Sequence, residues 1–237
     1  MSGGGAMTLS IIVPVLNEAA GIAAALARLS PLVDRGAELI VVDGGSTDDT
    51  VARARPLASH VIGAPRGRGA QMQRGVAIAR GDVLLFLHAD TVLPEAADRL
   101  VLDGLCRSGR VWGRFDVAIA GRHPLLAVVA RMMNLRSRLT GIATGDQAMF
   151  ATRAAYDAAG GFADIALMED IALSKRLRRL GPPLCLRARA VTSGRRWEAG
   201  GVVRTIVLMW TLRFLFWCGV SPDRLARWYG YAPRPES

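Results

Sequence analysis

The chain has 237 residues, 51% of them hydrophobic, and a formal net charge of +10. That length and apolar content are enough for one domain with a substantial core, and they exclude a disordered chain. The basic excess is almost all arginine, with Lys175 the only lysine; part of it reads as a solvated surface, and the rest points to an anionic partner such as a nucleotide phosphate or membrane lipid.

Met1–Met7 carries neither a basic region nor an apolar run, so it is expected to be a loose lead and not a signal peptide. Thr8–Leu16 is a β-rich strand. Asn17 and Glu18 follow at its carboxyl end, with Asn17 suited to cap a helix over Glu18–Leu29. Glu38–Asp43 is a second apolar strand ending in an acid. Gly44-Gly45 turns the chain, and Ser46-Thr47-Asp48-Asp49 opens a helix with a capping-box-like signal. A short strand over His60–Gly63 leads through Pro65–Gly69 into a helix ending near Arg80. Val83–Leu87 is an unbroken apolar run, too short for a helix, and reads as a buried parallel strand. It delivers His88 and Asp90, where Asp90 either caps the next turn or holds a divalent metal against a phosphate.

Strand and helix alternate over these ninety or so residues, which predicts an α/β fold with a mostly parallel sheet and right-handed crossovers. Asn17 and Glu18, Asp43, and His88 with Asp90 then reach the same sheet edge, where open α/β sheets bind ligands. The dinucleotide glycine fingerprint is missing after the first strand, which holds Pro-Val-Leu-Asn-Glu there, and no P-loop lysine motif occurs.

Further on, a helix is expected to Cys106, a strand over Arg110–Ile119 and a helix over Pro124–Arg138. That helix has an apolar face of Leu125, Val128, Val129 and Met132 and a polar face of Arg131, Asn134 and Arg138; packing on the sheet is the expected use of the apolar face, with a membrane surface as the alternative. Thr140–Gln147 is small and polar, and Ala148–Phe150 returns as a strand. Glu169 and Asp170 sit in the first turn of a helix running to Leu180, whose dipole is expected to keep a carboxylate ionised and able to accept a proton. Leu184–Val191 is strand-like, and Thr192–Glu198 is a polar, basic, aromatic knot. Gly201–Val220 is very apolar, but Arg204 and Arg213 on opposite sides argue against a membrane span. An interfacial helix with Trp210 and Trp217 at headgroup depth, or a buried or dimer-forming helix, fits instead. Cys106, Cys185 and Cys218 have no metal or redox spacing and suggest mostly buried thiols in a reducing, cytosolic setting. No nucleic-acid module is present, so no nucleic-acid partner is expected.

The blocks Ile12–Glu18, Val41–Asp48, Leu85–Asp90, Ala143–Gln147, Met168–Asp170 and Arg195–Trp197 resemble the family-2 glycosyltransferases of GT-A fold, from about Leu9 to Tyr229. Arg136–Gly141 and Leu167–Ile171 resemble the branch named for arsenosugar biosynthesis, found beside radical-enzyme genes. The resemblance implies a Rossmann-like, mostly parallel sheet flanked by helices, a catalytic domain over 8–200 and C-terminal hydrophobic or amphipathic helices over 201–231. Residues 8–92 would form its nucleotide-binding half, 93–200 its acceptor-side half, and 232–237 a loose tail. Pro14, Val15, Asn17, Glu18, Asp43, Gly44, Ser46 and Ala89 would line the nucleotide pocket, with Asp43 accepting from the base and Arg68 and Gln71 covering it. Asp90, with His88 beside it, would bind Mn2+ or Mg2+. Asp170 would be the general base, beside Glu169; Arg196 and Trp197 would sit by the acceptor and diphosphate, with Gly145, Asp146, Gln147 and Arg195 on the acceptor side.

Two positions depart from the family pattern. His88 replaces the first acid of Asp-x-Asp and is a softer ligand, and Ser193 stands where polymer-extending members have Gln. The implied function is inverting, metal-assisted transfer from a UDP- or GDP-sugar to a small-molecule or lipid-linked acceptor. The alternatives are a polyprenyl-phosphate sugar transferase at an anionic membrane surface and a non-catalytic sugar-nucleotide-binding protein. A cytoplasmic protein, peripheral at the inner face of the plasma membrane or a homodimer, is expected.

Overall fold

The computed structural model describes residues 7–231, so the lead over 1–6 and the tail over 232–237 lie outside the described residues. Eight strands form a mixed sheet: β1 (Leu9–Val15), β2 (Glu38–Asp43), β3 (His60–Gly63), β4 (Val83–Phe86), β5 (Thr91–Val92), β6 (Trp112–Ala120), β7 (Phe150–Thr152) and β8 (Leu184–Ser193). Their order across the sheet is β3-β2-β1-β4-β7-β6-β8-β5. The β3-β2-β1-β4 half is parallel, as expected. The antiparallel strand β7 joins it to β6, and β6 then pairs in parallel with β8.

The central strands have nothing but core around them. Every residue of β1 is buried, and alternate side chains serve opposite faces, as the pleat requires. Ile11, Val13, Leu39, Val41, Val83 and Leu85 meet α1 (Ile22–Ala27) and α5 (Ala97–Ser108) on one face. Ile12, Ile40, Val42, Leu84 and Phe86 meet α4 (Arg68–Ile78), α7 (Arg153–Ala158) and α8 (Glu169–Leu180) on the other.

The helix over Glu18–Leu29 is shorter than the sequence suggests. It begins at Ile22 and ends at Ala27, and α2 (Ser30–Val33) follows. Asn17 does not cap it, because Asn17 itself adopts a left-handed φ of 53° and its Oδ1 accepts from Thr47 N–H at 2.9 Å. Asp48 likewise opens no helix: α3 (Thr50–Ala54) starts after it, and its carboxylate accepts from Thr50 and from Ala19 N–H.

The larger difference concerns α6 (Leu125–Thr140). Its buried side is Leu126, Ala130 and Ser137, while Val128, Met132, Leu135 and Leu139 are exposed. The expected apolar contact with the sheet is replaced by polar docking. Asn134 exchanges two hydrogen bonds with the Val117 backbone, at 2.8 and 3.0 Å. Arg114 of β6, wholly buried, donates to Ser137 Oγ at 2.7 Å and to the Asn134 carbonyl, and pairs with Asp116.

The knot at Arg195 forms a short helix, α9 (Arg195–Gly200), followed by α10 (Val202–Trp217) and α11 (Pro222–Trp228). Leu212, Leu225 and Ala226 of the last two pack on Leu167, Met168 and Ile171 at the start of α8. No helix among the described residues is long and apolar enough to cross a membrane. Cys106 and Cys218 are exposed and Cys185 half-buried, so the thiols are not mostly buried as the sequence implied; these cysteines lie on outward faces of their elements.

Candidate active site

The parallel register places Val15 level with Asp43, so β1 and β2 end together; Phe86 is level with Ile12, so β4 stops three residues short of them and the segment through His88 and Asp90 follows it to the same edge. Pro14, Val15, Glu18, Arg68, Gln71, His88, Ala89 and Asp90 line one wall of a cleft of about 1190 Å³. Gly145, Asp146, Glu169, Asp170 and Trp197 line it from the other half of the chain. The volume exceeds the ~300–1,000 Å³ of ordinary ligand pockets, leaving room for two substrates.

On the donor side, Asp43 orders its own turn: it accepts from Gly45 N–H at 3.0 Å and from Ser46 through N–H and Oγ. Gly44 N–H donates to the Val15 carbonyl at 2.9 Å, closing β1 and β2 together. Ser46 Oγ also accepts from Asn17 N–H, so Asn17, Asp43, Gly44 and Ser46 form one hydrogen-bonded turn beneath the lining residues. Gln71 is buried, and both its amide hydrogens are committed, to the carbonyls of Val15 at 2.9 Å and Val42 at 2.8 Å. It clamps two strand ends from α4, so its amide has no hydrogen left to donate to a base.

After β4 the chain turns at His88, with Thr91 N–H donating to the His88 carbonyl at 3.0 Å. Asp90 projects exposed from this turn. The turn is held to the far half of the sheet, where Thr91 Oγ1 and Thr192 Oγ1 lie 3.1 Å apart. His88 Nδ1 faces Asp146 Oδ1 at 3.4 Å. Its ring lies against Gly145 so closely that a Cβ there would sit 2.5 Å from Cε1 and Nε2. Gly145 thus permits the backbone approach, and its N–H donates to Asp170 Oδ2 at 2.8 Å. Gln147 is buried beneath this loop, in a reciprocal cap with Thr144.

Asp170 also accepts from its neighbour's Ile171 N–H at 2.6 Å. Burial lifts its carboxyl above the usual carboxylate range, and the Gly145 and Ile171 amides and His88 offset that only in part. Burial likewise pushes Glu169 up to about 7, aided by the charge of Asp170 and opposed by Arg68. The helix dipole favours the ionised form of these groups, while desolvation opposes it and raises both. The helix start itself is strained, since Met168 holds a left-handed φ of 70°. Packing by α10 and α11 holds it there, a pattern found where backbone strain positions a working side chain.

The C-terminal segment closes the cleft. Burial opposes the Arg68 charge, but Tyr231, Glu169 and Asp146 outweigh it and hold the guanidinium more firmly protonated than usual. The Tyr231 ring lies 5.8 Å from the Arg68 carbon, and α10 contributes Met209, Trp210 and Arg213 to the wall. Arg195 is exposed and donates back to Ser193 Oγ at 3.2 Å, outside the cleft lining. Arg196 follows in α9, and its side chain lies outside the described residues. Sequence reasoning missed Tyr231, Arg213 and Arg136 as lining residues, since each sits in a stretch whose spacing signals only a helix or an aromatic tail.

Residues 10–156, more than half of the chain, match Glycosyl transferase family 2. Glucosyl-3-phosphoglycerate synthase of Mycobacterium tuberculosis is 37% identical over 98 residues, which is 37% of this chain and 30% of that protein. The PGL/p-HBAD biosynthesis glycosyltransferase of Mycobacterium bovis is 42% identical over 94 residues, 37% of each chain. The aligned stretches thus span about a third of these relatives' own lengths. A crystal structure of the former synthase with Mn2+, UDP and glucosyl-3-phosphoglycerate superposes with a TM-score of 0.54 and 26% identity, covering 78% of this chain and 71% of that one. The same synthase has also been crystallised with Mg2+ and UDP. S. aureus TarS with UDP shares the fold, with a TM-score of 0.64 and 19% identity over 79% of this chain and 60% of that one. The α/β fold, the cleft at the edge where β1 and β2 end, and the match across the first two-thirds of the described residues agree: this chain belongs to the family-2 glycosyltransferases.

Proposed function

We propose that the protein transfers a sugar from a UDP- or GDP-sugar to an acceptor hydroxyl with inversion, and that Asp170 is the general base. The observation that carries this is the Asp170 carboxylate itself. It lines the cleft, is anchored by the Gly145 amide, and is made more basic by burial. The acceptor oxygen attacks the anomeric carbon opposite the leaving group and gives its proton to Asp170. The glycosyl–phosphate bond breaks, and its electron pair leaves with the nucleoside diphosphate. With Asp170 acting as base and no covalent sugar–protein intermediate, the transfer is a single displacement.

Among the described residues no three His, Cys, Asp or Glu groups converge on a metal position. His88 and Asp90, both lining the cleft at one turn, are the residues that would hold a Mg2+ or Mn2+ ion. Such an ion supplies positive charge beside the departing diphosphate. Pro14, Val15, Glu18, Ala89 and Arg68 flank the donor, and Trp197 the acceptor. The motif blocks at Arg136–Gly141 and Leu167–Ile171 support placement in the arsenosugar-named branch.

The test is nucleoside diphosphate release from UDP- and GDP-sugars by the wild type and Asp170→Asn. The variant folds and loses about 100-fold or more in rate, within the range for loss of a general base. Near-wild-type turnover removes Asp170 from this role. In calorimetry, Asp90→Ala weakens Mn2+-dependent UDP binding; an unchanged affinity removes Asp90 from the metal site.

A second reading, a lipid-linked acceptor at an anionic membrane surface, is favoured by one observation. Val203, Val207, Trp210, Phe214 and Trp217 form an exposed stripe along α10, and Val128, Met132, Leu135 and Leu139 form one along α6. Both follow alternating four- and three-residue steps and adjoin the cleft mouth. Flotation with phosphatidylglycerol liposomes at low and high salt tests it, and no binding at low salt sinks it. A dimer by sedimentation would assign the stripes to a second copy instead.

A further inference from the structure

Arg136 lies on α6 and lines the cleft together with Val129, Met132 and Met133. Its Nε and Nη2 are sealed from solvent and have no hydrogen-bond partner among the described residues. The contrast with Arg114, also under α6, is sharp. That guanidinium is wholly buried and is met by Asp116, Ser137 and the Asn134 carbonyl. Taking ionic N–H groups from water without an acceptor carries a penalty of several kcal/mol, which proteins ordinarily offset with a paired charge. No acceptor among the described residues meets these two N–H groups of Arg136, yet the side chain lines a cavity that also contains the proposed general base.

We propose that Arg136 anchors an acceptor subsite for an anionic oxygen group, a phosphate or a carboxylate, toward which the guanidinium turns so that its two unpartnered N–H groups bind the anion as a fork. This rests on the glycosyltransferase reading above. The acceptor then presents its hydroxyl to Asp170 and its anion to Arg136. The side chains beside the guanidinium, Val129, Met132 and Met133, are apolar. They seal the ion pair from water and accommodate a carbon chain attached to the anion. The anion can belong to a small molecule or to a lipid phosphate, and the arms of the test separate the two.

Protein saturated with UDP and Mg2+, so that the diphosphate position is filled, is titrated with glycerol phosphate, octyl phosphate and glycerate while its melting temperature is followed. At least one of them raises the melting temperature saturably. Arg136→Met weakens that binding by about tenfold or more, the loss expected for a charge-assisted hydrogen bond. Arg136→Lys retains an intermediate affinity. Octyl phosphate binding much more tightly than glycerol phosphate assigns the anion to a lipid; equal affinities assign it to a small molecule.

Without ligand, Arg136→Met melts no lower than the wild type, because it removes an unpaired buried charge and keeps the length of the side chain. The proposal is overturned if no anion stabilises the wild type, if the Met variant responds equally, or if that variant is much less stable without ligand. A response to anions that Arg136→Met abolishes supports the subsite whether or not UDP binds. Failure of UDP with Mg2+ to stabilise the wild type counts against the donor reading alone.

Discussion

The two halves of the cleft hold their helices by different means. On the donor side, β1, β2 and β4 are buried on both faces, and α4 packs on them with Met72 and Val76. On the acceptor side, α6 meets β6 through Asn134, Ser137 and the buried Arg114, and turns much of its apolar surface outward. Apolar packing fixes a scaffold that ends β1 and β2 together and brings the turn after β4 to the same edge. Polar docking orients a helix without using its apolar side chains, which remain available to a ligand or a surface.

The largest stability effect should therefore come from the polar dock. Arg114→Met leaves Asp116 with Arg138, 2.7 Å away, as its partner and strips Ser137 and the Asn134 carbonyl of a donor. Breaking a buried pair from one side costs about 3–5 kcal/mol, with the retained Arg138 contact favouring the lower end. Urea unfolding measures this, and calorimetry of UDP in the folded protein should show donor affinity little changed. A loss below about 1 kcal/mol would mean that α6 is held by its few apolar contacts after all, within the range of ordinary surface substitutions.

The donor side predicts a smaller effect of the opposite character. Gln71→Ala removes two bonds to the Val15 and Val42 carbonyls. Val15 keeps the Gly44 N–H, so the loss is expected at about 1–2 kcal/mol, with weaker UDP binding as the strand ends loosen. If Gln71 acted only on the base, UDP affinity would fall and urea stability would not.

The same contrast explains what could be read from the chain. The donor half was legible because its strands are continuous apolar runs and its polar residues follow them directly, as at Val42-Asp43 and Leu87-His88. Arg131 and Arg136 look alike in the sequence of α6, and only the packing shows one exposed and the other with its N–H groups buried in the cleft. The period of α6 gave a correct apolar stripe and a wrong direction, because periodicity cannot say whether Asn134 or Met132 meets the sheet. Gln71 lines the cleft, but that its amide is committed to the strand ends cannot be read from the sequence. The pair at 169 and 170 was found by motif; its burial under α10 and α11 depends on residues more than forty positions away.

A last expected effect, a pH dependence and not a fixed loss, concerns that pair and distinguishes the buried acceptor side from an ordinary helix start. Burial raises Glu169 to about 7, in the company of Asp170, Arg68 and His88. The folded protein therefore binds a proton more tightly than the unfolded chain. The stability this proton contributes is complete below the unfolded carboxylate range and is lost as pH rises through about 7. Glu169→Gln cannot titrate, so its melting temperature should gain on that of the wild type between pH 5 and 8 and run parallel to it above. Asp170, raised by the same burial, remains in both proteins and accounts for what pH dependence persists in the variant. A difference that stays constant from pH 5 to 8 would mean that water reaches Glu169. The start of α8 would then be a solvated helix terminus, and its dipole would again set the charge of the base beside it.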